Sequence, residues 1–275
     1  MLFRMNFHDS FHQIQALLSS VQGDSDHFVE ALRQENVPHL SFSQISAVEF
    51  CPYRYYLQYV LFQQPKPLPD YFTKGKLLHQ LIAHFYQSQK DGRRIEQSYL
   101  ENEIYRISEV GFHTHLSNAL QLHYQNSWCD YEIVAIEHPF VFSISDDLPP
   151  MIGIIDLILQ SENDILLVDH KTGRNFYPDD ELQVAIYSQY IMRKYGISNC
   201  RLFYDHYRWV ENLDRIRKPA FQRTEVSIDS AQWTTYFERI QIAAEKIDRI
   251  RSGDQPTFNR VCFRCPYSRS CMHAL

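Results

Sequence analysis

The sequence predicts an α/β fold, and three observations carry that reading. Segments 132–144, 151–160 and 164–170 are rich in β-branched residues and are separated by the turn signals DDLPP and SEND. Segments with apolar residues at helical spacing lie on both sides of them. The chain has 275 residues, of which 44% are hydrophobic and 22% charged, enough for one large domain with its own core and far from a disordered composition.

The elements follow in order. Residues 8–35 read as one or two amphipathic helices. Residues 41–60 begin a helical stretch with Ser43 as the expected N-cap, and Pro52 suits the first turn of a second segment. Residues 63–72 are Pro-rich and read as a loop. Residues 75–89 carry apolar residues at 78, 81, 82, 85 and 86, which is helical spacing. A helical insertion at 90–130 precedes the three strand segments. Residues 179–195 return to helix, closed by Gly196 as a C-cap. Residues 199–209 read as a strand, and 229–251 as a long helix with Trp233, Phe237, Ile240, Ala244 and Ile247 on one face. The last 25 residues are irregular and cysteine-rich, and no internal repeat is visible. The domain reading is an N-terminal helical segment, 1–40, followed by one catalytic domain, 41–275.

No apolar run approaches the ~18 residues that span a bilayer, and the N-terminus lacks a charged-then-apolar signal, so a soluble cytoplasmic protein is expected. The net charge of −6 argues against a protein that coats nucleic acid electrostatically. Charge is unevenly distributed, however. Segment 130–164 holds eight acidic residues and no Lys or Arg, whereas 71–94 holds five basic residues against one acid and 193–224 eight against three. An acidic region between basic flanks suits a cation-dependent site for an anionic substrate, although ordinary surface mixing gives the same count.

Asp156 lies in an apolar strand, where a carboxylate is costly unless paired or bound to a cation. Asp169 and Lys171 are two apart on the next strand and share a face. Two carboxylates and a lysine suit Mg²⁺ or Mn²⁺ with an amine that aligns water and offsets phosphate charge. A buried Asp–Lys ion pair is the alternative. Gln183 and Tyr187 are i and i+4 on the following helix, on a face that can reach the same place. His79 sits among apolar residues of the 75–89 helix.

The order of His79, G-I-I-D at 153–156, D-H-K-T-G at 169–173 and Q-x-x-x-Y at 183–187 resembles the RecB-type branch of the PD-(D/E)XK nucleases over residues 41–275. The resemblance implies a central mixed β-sheet flanked by helices and a metal-dependent DNA exonuclease acting on single-stranded ends. It implies that His79, Asp156 and Asp169 bind the divalent metal, with the backbone carbonyl of His170 as a further ligand. It makes Lys171 the catalytic lysine, gives Gln183 and Tyr187 the task of orienting DNA and lysine, and offers Glu137 as a further acid. The implied context is DNA repair and recombination or CRISPR adaptation. Oligomeric state stays open. The second function considered is a nuclease-like subunit that holds DNA within a larger complex with little cleavage of its own. The helicase signature GxxxxGK[ST] is absent, so unwinding would need a partner.

Cys262, Cys265 and Cys271 form C-x₂-C-x₅-C, and Cys51 lies far upstream in F-C-P-Y. Four thiolates can hold zinc or a 4Fe–4S cluster. The one-plus-three layout is similar to that of the iron–sulfur nucleases of the same branch, the AddB-type helicase–nucleases and CRISPR-associated exonucleases. That likeness favours the 4Fe–4S cluster, with zinc second, in a structural role. Cys129 and Cys200 read as free thiols. Tyr53 and Arg54 beside Cys51, Arg208 with Trp209, and Arg260, Arg264 and Arg269 are candidates to stack bases and follow a DNA backbone, against a packed aromatic core with a basic rim.

Overall fold

The computed structural model describes residues 7–65, 70–93, 96–162, 164–173, 176, 180–208, 218–259, 262 and 265–273. In chain order the elements are α1 (Phe7–Ser20), α2 (Ser25–Glu35), β1 (Leu40–Ser41), α3 (Phe42–Phe50), α4 (Pro52–Tyr55) running into a π-helical turn (Tyr56–Val60), α5 (Asp70–Lys90), α6 (Gln97–Ile107), α7 (His113–Asn126), β2 (Glu132–Phe142), β3 (Met151–Gln160), β4 (Ile165–Gly173), α8 (Leu182–Tyr195), β5 (Arg201–Arg208), β6 (Ala220–Val226) and α9 (Ser230–Arg251). No described helix is long and apolar enough to cross a membrane.

The chain divides into two compact units: Met1–Pro69 with Pro139–Ile154 and Ile228–Leu275, and Asp70–His138 with Ile155–Ser227. In the first, the 1–40 segment supplies α1 and α2. Their Ile14, Phe28 and Leu32 form an apolar cluster with Val37, Val141 and Ile152. Strand β1 pairs in parallel with the start of β3, Leu40 with Met151 and Ser41 with Ile152. This pairing corrects the expected helix start. Ser41, not Ser43, is the N-cap, its hydroxyl accepting from the Gln44 amide at 3.2 Å. Both serines suit the role, and strand pairing holds Ser41 in the extended conformation a cap needs. Helix α9 buries Ile240, Ala243, Ala244, Ile247 and Ile250, so its apolar face lies further toward the C-terminus than Trp233 and Phe237 suggested. Its start carries a reciprocal capping box between Asp229 and Gln232.

The second unit is built on a mixed sheet. The end of β3 runs antiparallel to β4, β4 runs parallel to β5, and β5 antiparallel to β6. Strand β6 was not expected, because its polar sequence lacks an apolar run and only pairing with β5 reveals it. Leu157, Leu159, Leu166, Val168, Phe203 and Tyr207 face one way and pack with Leu78, Leu81, Ile82 and Phe85 of α5 and Leu116 and Leu120 of α7. The alternate residues of β3 and β4 face the other way, which is where Asp156, Asp169 and Lys171 fall. Helix α8 packs against β4, and Gly196 closes it in the left-handed conformation at φ 65°.

Candidate functional site

The pairing of Leu157 with Val168 fixes the antiparallel register. Continuing it by one residue sets Asp156 across from Asp169 on the same face. Like charges directly opposed on adjacent strands repel, so this arrangement requires a cation. Asp156 and Asp169 are both buried. A third buried carboxylate shows what a purely structural acid looks like here. Asp205 is gripped by Arg223 at 2.7 and 2.8 Å and by the Trp128 indole at 2.8 Å, with the guanidinium 3.5 Å from the Trp128 ring centroid. Among the described residues, no arginine pairs with Asp156 or Asp169.

Their protein cations are His79 and Lys171. His79 Nδ1 lies 3.6 Å from Asp156 Oδ1, and Lys171 Nζ lies 2.7 Å from Asp169 Oδ2. The second oxygen of Asp156 accepts the His170 amide at 2.7 Å. Lys171 Nζ also donates to Gln183 Oε1 at 2.7 Å, and Gln183 Nε2 donates to the Tyr187 hydroxyl at 2.7 Å. The i, i+4 spacing on α8 therefore makes one continuous chain of polar contacts, Asp169–Lys171–Gln183–Tyr187. Burial of Tyr187 pushes its hydroxyl well above the usual range, so it stays protonated.

The electrostatics are those of a crowded anionic pocket. Burial would lift Asp156, but His79 and then His170 outweigh it and hold the carboxyl at about 2. Burial and the repulsion of Asp156 raise Asp169 to about 6 against the pull of Lys171. Burial works against charge on His79, yet Asp156, Glu137 and Asp169 together lift it to about 9. The pocket attracts positive charge from every direction.

His79, Glu137 and Asp156 place one ligating atom each within 4.8 Å of one another. Two carboxylates and an imidazole fit a divalent ion: the oxygens suit Mg²⁺ or Mn²⁺, and the imidazole favours a first-row transition ion. Glu137 takes part through a non-glycine residue in the left-handed region, at φ 45° within β2. Such strain persists where the surroundings enforce it, and it clusters at functional sites. His170 contributes differently. Its ring lies near Tyr86, His123 and Tyr207, and its backbone amide is the group that hydrogen-bonds Asp156. Burial there holds the ring at about 4 and neutral.

In the first unit, Cys51, Cys262, Cys265 and Cys271 all line one cavity, and none is in a disulfide. Turns after Cys262 arrange the last three: the Cys265 amide donates to the Cys262 carbonyl at 3.0 Å and the Cys271 amide to the Tyr267 carbonyl at 2.8 Å. Asn259 ties them to Cys51, its amide donating to Cys51 Sγ at 3.5 Å and its side chain to the Phe50 carbonyl at 2.6 Å. Four thiols around one space fit a soft metal centre. Tyr53 and Arg54 also line this cavity, the Tyr53 ring edge-on to His273 at 4.5 Å. Arg208 donates to the Lys218 carbonyl at 3.0 Å with its guanidinium over Phe176. Trp209, Arg260 and Arg264 lie outside the described residues. Cys200 is buried, its thiol pushed up to about 12, and Cys129 accepts from Gln89 at 2.8 Å.

With this geometry in view, the comparisons are direct. A family model described as the PD-(D/E)XK nuclease superfamily matches residues 39–272. No curated protein matches the chain. A crystal structure from Eubacterium rectale described as a "putative exonuclease" shares the fold with a TM-score of 0.57 at 10% identity, covering 87% of this chain and 91% of that one. The structure of SSO0001 aligns at 17% identity over 72% of this chain and 86% of its own, with a TM-score of 0.31 that carries no weight for the fold.

Proposed function

The chain belongs to the PD-(D/E)XK nuclease superfamily, and on that premise we propose that it is a divalent-metal-dependent deoxyribonuclease degrading DNA from single-stranded ends. The observation that carries this reading is the opposition of Asp156 and Asp169, with Lys171 and His79 as the adjoining protein cations. Hydrolysis adds water across the phosphodiester. The water oxygen bonds phosphorus, one P–O bond to the sugar breaks, and the departing oxygen takes a proton. His79, Asp156 and Glu137 are the residues to hold the ion, with Asp169 beside them. A bound divalent ion polarises the phosphate and acidifies water. Lys171, steadied by Asp169 and Gln183, is set to orient the water and to donate toward oxygens that gain charge. Tyr187 fixes Gln183 and, through it, the amine.

The cysteine cavity is the second part of the reading. We assign it a 4Fe–4S cluster, with zinc as the other candidate, in a structural role that clasps Cys51 to the C-terminal turns. Four free thiols on one cavity support it. Arg54 lines this cavity, where its positive charge offsets that of thiolates, and it stays a candidate to follow a DNA backbone beside Tyr53. The pathway assigned, repair and recombination or CRISPR adaptation, rests on the likeness to RecB-type nucleases.

The test is anaerobic purification, an iron and zinc count, and digestion of end-labelled single- and double-stranded DNA with Mg²⁺ or Mn²⁺. Wild-type protein should shorten single strands progressively from an end, and Asp156→Ala and Lys171→Ala should not. Cleavage persisting in both variants would sink the catalytic assignment. Binding without cleavage by the wild type would leave a DNA-holding subunit instead.

A further inference from the structure

Helix α5 begins with two large aromatics open to solvent. Tyr71 is 54% exposed and Phe72 43%, and their rings stack at 4.6 Å between centroids with 29° between planes. Exposed apolar area of this size has no folding benefit, so a stacked pair in water points to something it receives.

The helix shows where that something leads. Phe72, Lys76 and His79 are spaced i, i+4 and i+7, so they form one stripe along α5. Phe72 and Lys76 are exposed and His79 is half-buried at the margin of the core face. Gly75 flanks the stripe, and a Cβ there would meet Thr172 Oγ1 at 3.4 Å. The α5 backbone therefore comes close to β4 beside Lys171. The stripe runs from an aromatic face, past a cation, to the histidine of the carboxylate pocket. Seven residues of helix span about 10.5 Å, or about three stacked nucleotides at ~3.4 Å each.

We propose that Tyr71 and Phe72 form the platform on which a base of an unpaired DNA strand stacks while the same strand runs along the stripe past Lys76 toward His79. This deepens the nuclease reading and rests on it for the identity of the strand. Aromatic faces stack any base, and a lysine between platform and pocket follows the backbone, which is the chemistry of sequence-tolerant single-strand binding. A duplex offers a free base face only at its end. The platform therefore selects unpaired or frayed ends over internal duplex.

The test measures binding without cleavage. Full-length protein in EDTA is titrated against a labelled oligo-dT and an internally labelled, covalently closed duplex circle without ends or loops, followed by fluorescence anisotropy. Tyr71→Ala and Phe72→Ala should each weaken oligo-dT binding about 5- to 100-fold, the range of single base–aromatic stacks, and leave binding of the closed duplex nearly unaffected. Phe72→Trp should retain affinity. Tyr105→Ala, which removes an aromatic 64% exposed on α6 rather than α5, should change nothing. Unchanged oligo-dT affinity in Phe72→Ala, equal losses on both ligands, or no oligo-dT binding by the parent overturns the platform. Circular dichroism verifies that each variant folds. Because the readout needs no catalysis, the two readings fail separately. A parent that binds through Phe72 but never cleaves keeps the platform and loses the nuclease, and one that cleaves with Phe72 irrelevant does the reverse.

Discussion

The carboxylate pocket and the cysteine cavity gather donors of opposite character by opposite means. The pocket draws Asp156, Asp169 and Lys171 from two adjacent strands, and backbone pairing fixes their positions before any ion arrives. Lys171 is then pinned from α8 through Gln183 and Tyr187. The cavity draws one thiol from near the start of the chain and three from near its end, more than two hundred positions apart, aligned by short turns and the Asn259 contacts. The first site is preorganised by the sheet, and on the proposed reading its ion serves chemistry rather than folding. The second has little regular structure of its own, so on the proposed reading a bound metal would supply stability there.

That contrast is open to direct attack. Asp156→Asn should reduce DNA hydrolysis by at least about 10²- to 10³-fold while barely moving the melting temperature, read by calorimetry beside an activity assay. Cys265→Ala should do the converse. It should lose the visible absorbance of iron and lower the melting temperature by about 10 °C, as removing several kcal/mol does in a chain of this size. A colourless Cys265→Ala protein with unchanged melting would erase the distinction.

Acid should weaken both units by one mechanism. His39 in the first is neutral, its Nδ1 donating to the Val37 carbonyl at 2.7 Å and its Nε2 accepting from Gln44 at 2.9 Å, and burial holds it at about 4. His123 in the second is fully buried and held well below its ordinary value by the same cause. The unfolded chain binds protons that the fold refuses. Stability is therefore full above about pH 6.5 and falls toward pH 4, by about 1.4 kcal/mol per pH unit for each histidine. Denaturant midpoints from pH 7.5 to 5 should show the fall, and His39→Gln should remove the share that His39 contributes while His123 keeps its own.

Smaller effects sharpen the pocket. Gln183→Ala frees the lysine and should cost about 10- to 100-fold in kcat, the usual penalty for losing a group that orients a reacting one. Tyr187→Phe removes a single neutral hydrogen bond, worth about 0.5–1.5 kcal/mol, and should cost about 2- to 10-fold. Equal losses in the two variants would mean that Tyr187 does more than hold Gln183.

Much of this was legible in the chain. The apolar runs expected at 151–160 and 164–170 are strands Met151–Gln160 and Ile165–Gly173, because β-branched composition and flanking turns are local signals. Gly196 marked the end of α8 because the left-handed cap needs a residue without Cβ. Other features were invisible for equally physical reasons. The 63–72 loop reading ran into the helix, which already begins at Asp70. The polar alternation of β6 says nothing until β5 pairs with it.

Taken alone, the sequence determined the donor types and the local faces that carry them: His79 among the apolar residues of a helix, Asp169 and Lys171 on one side of a strand, Gln183 and Tyr187 on one side of another helix. Periodicity encodes faces, and faces are local. The tertiary structure decided which donors meet. It brought Glu137 in through a left-handed backbone at φ 45°, set the His170 ring near Tyr86, and lined the cysteine cavity with Arg54. It also left Tyr71 and Phe72 open to solvent on the helix that bears His79. Those outcomes depend on strand register and on where helices settle against the sheet, and both are fixed by contacts between residues far apart in the chain.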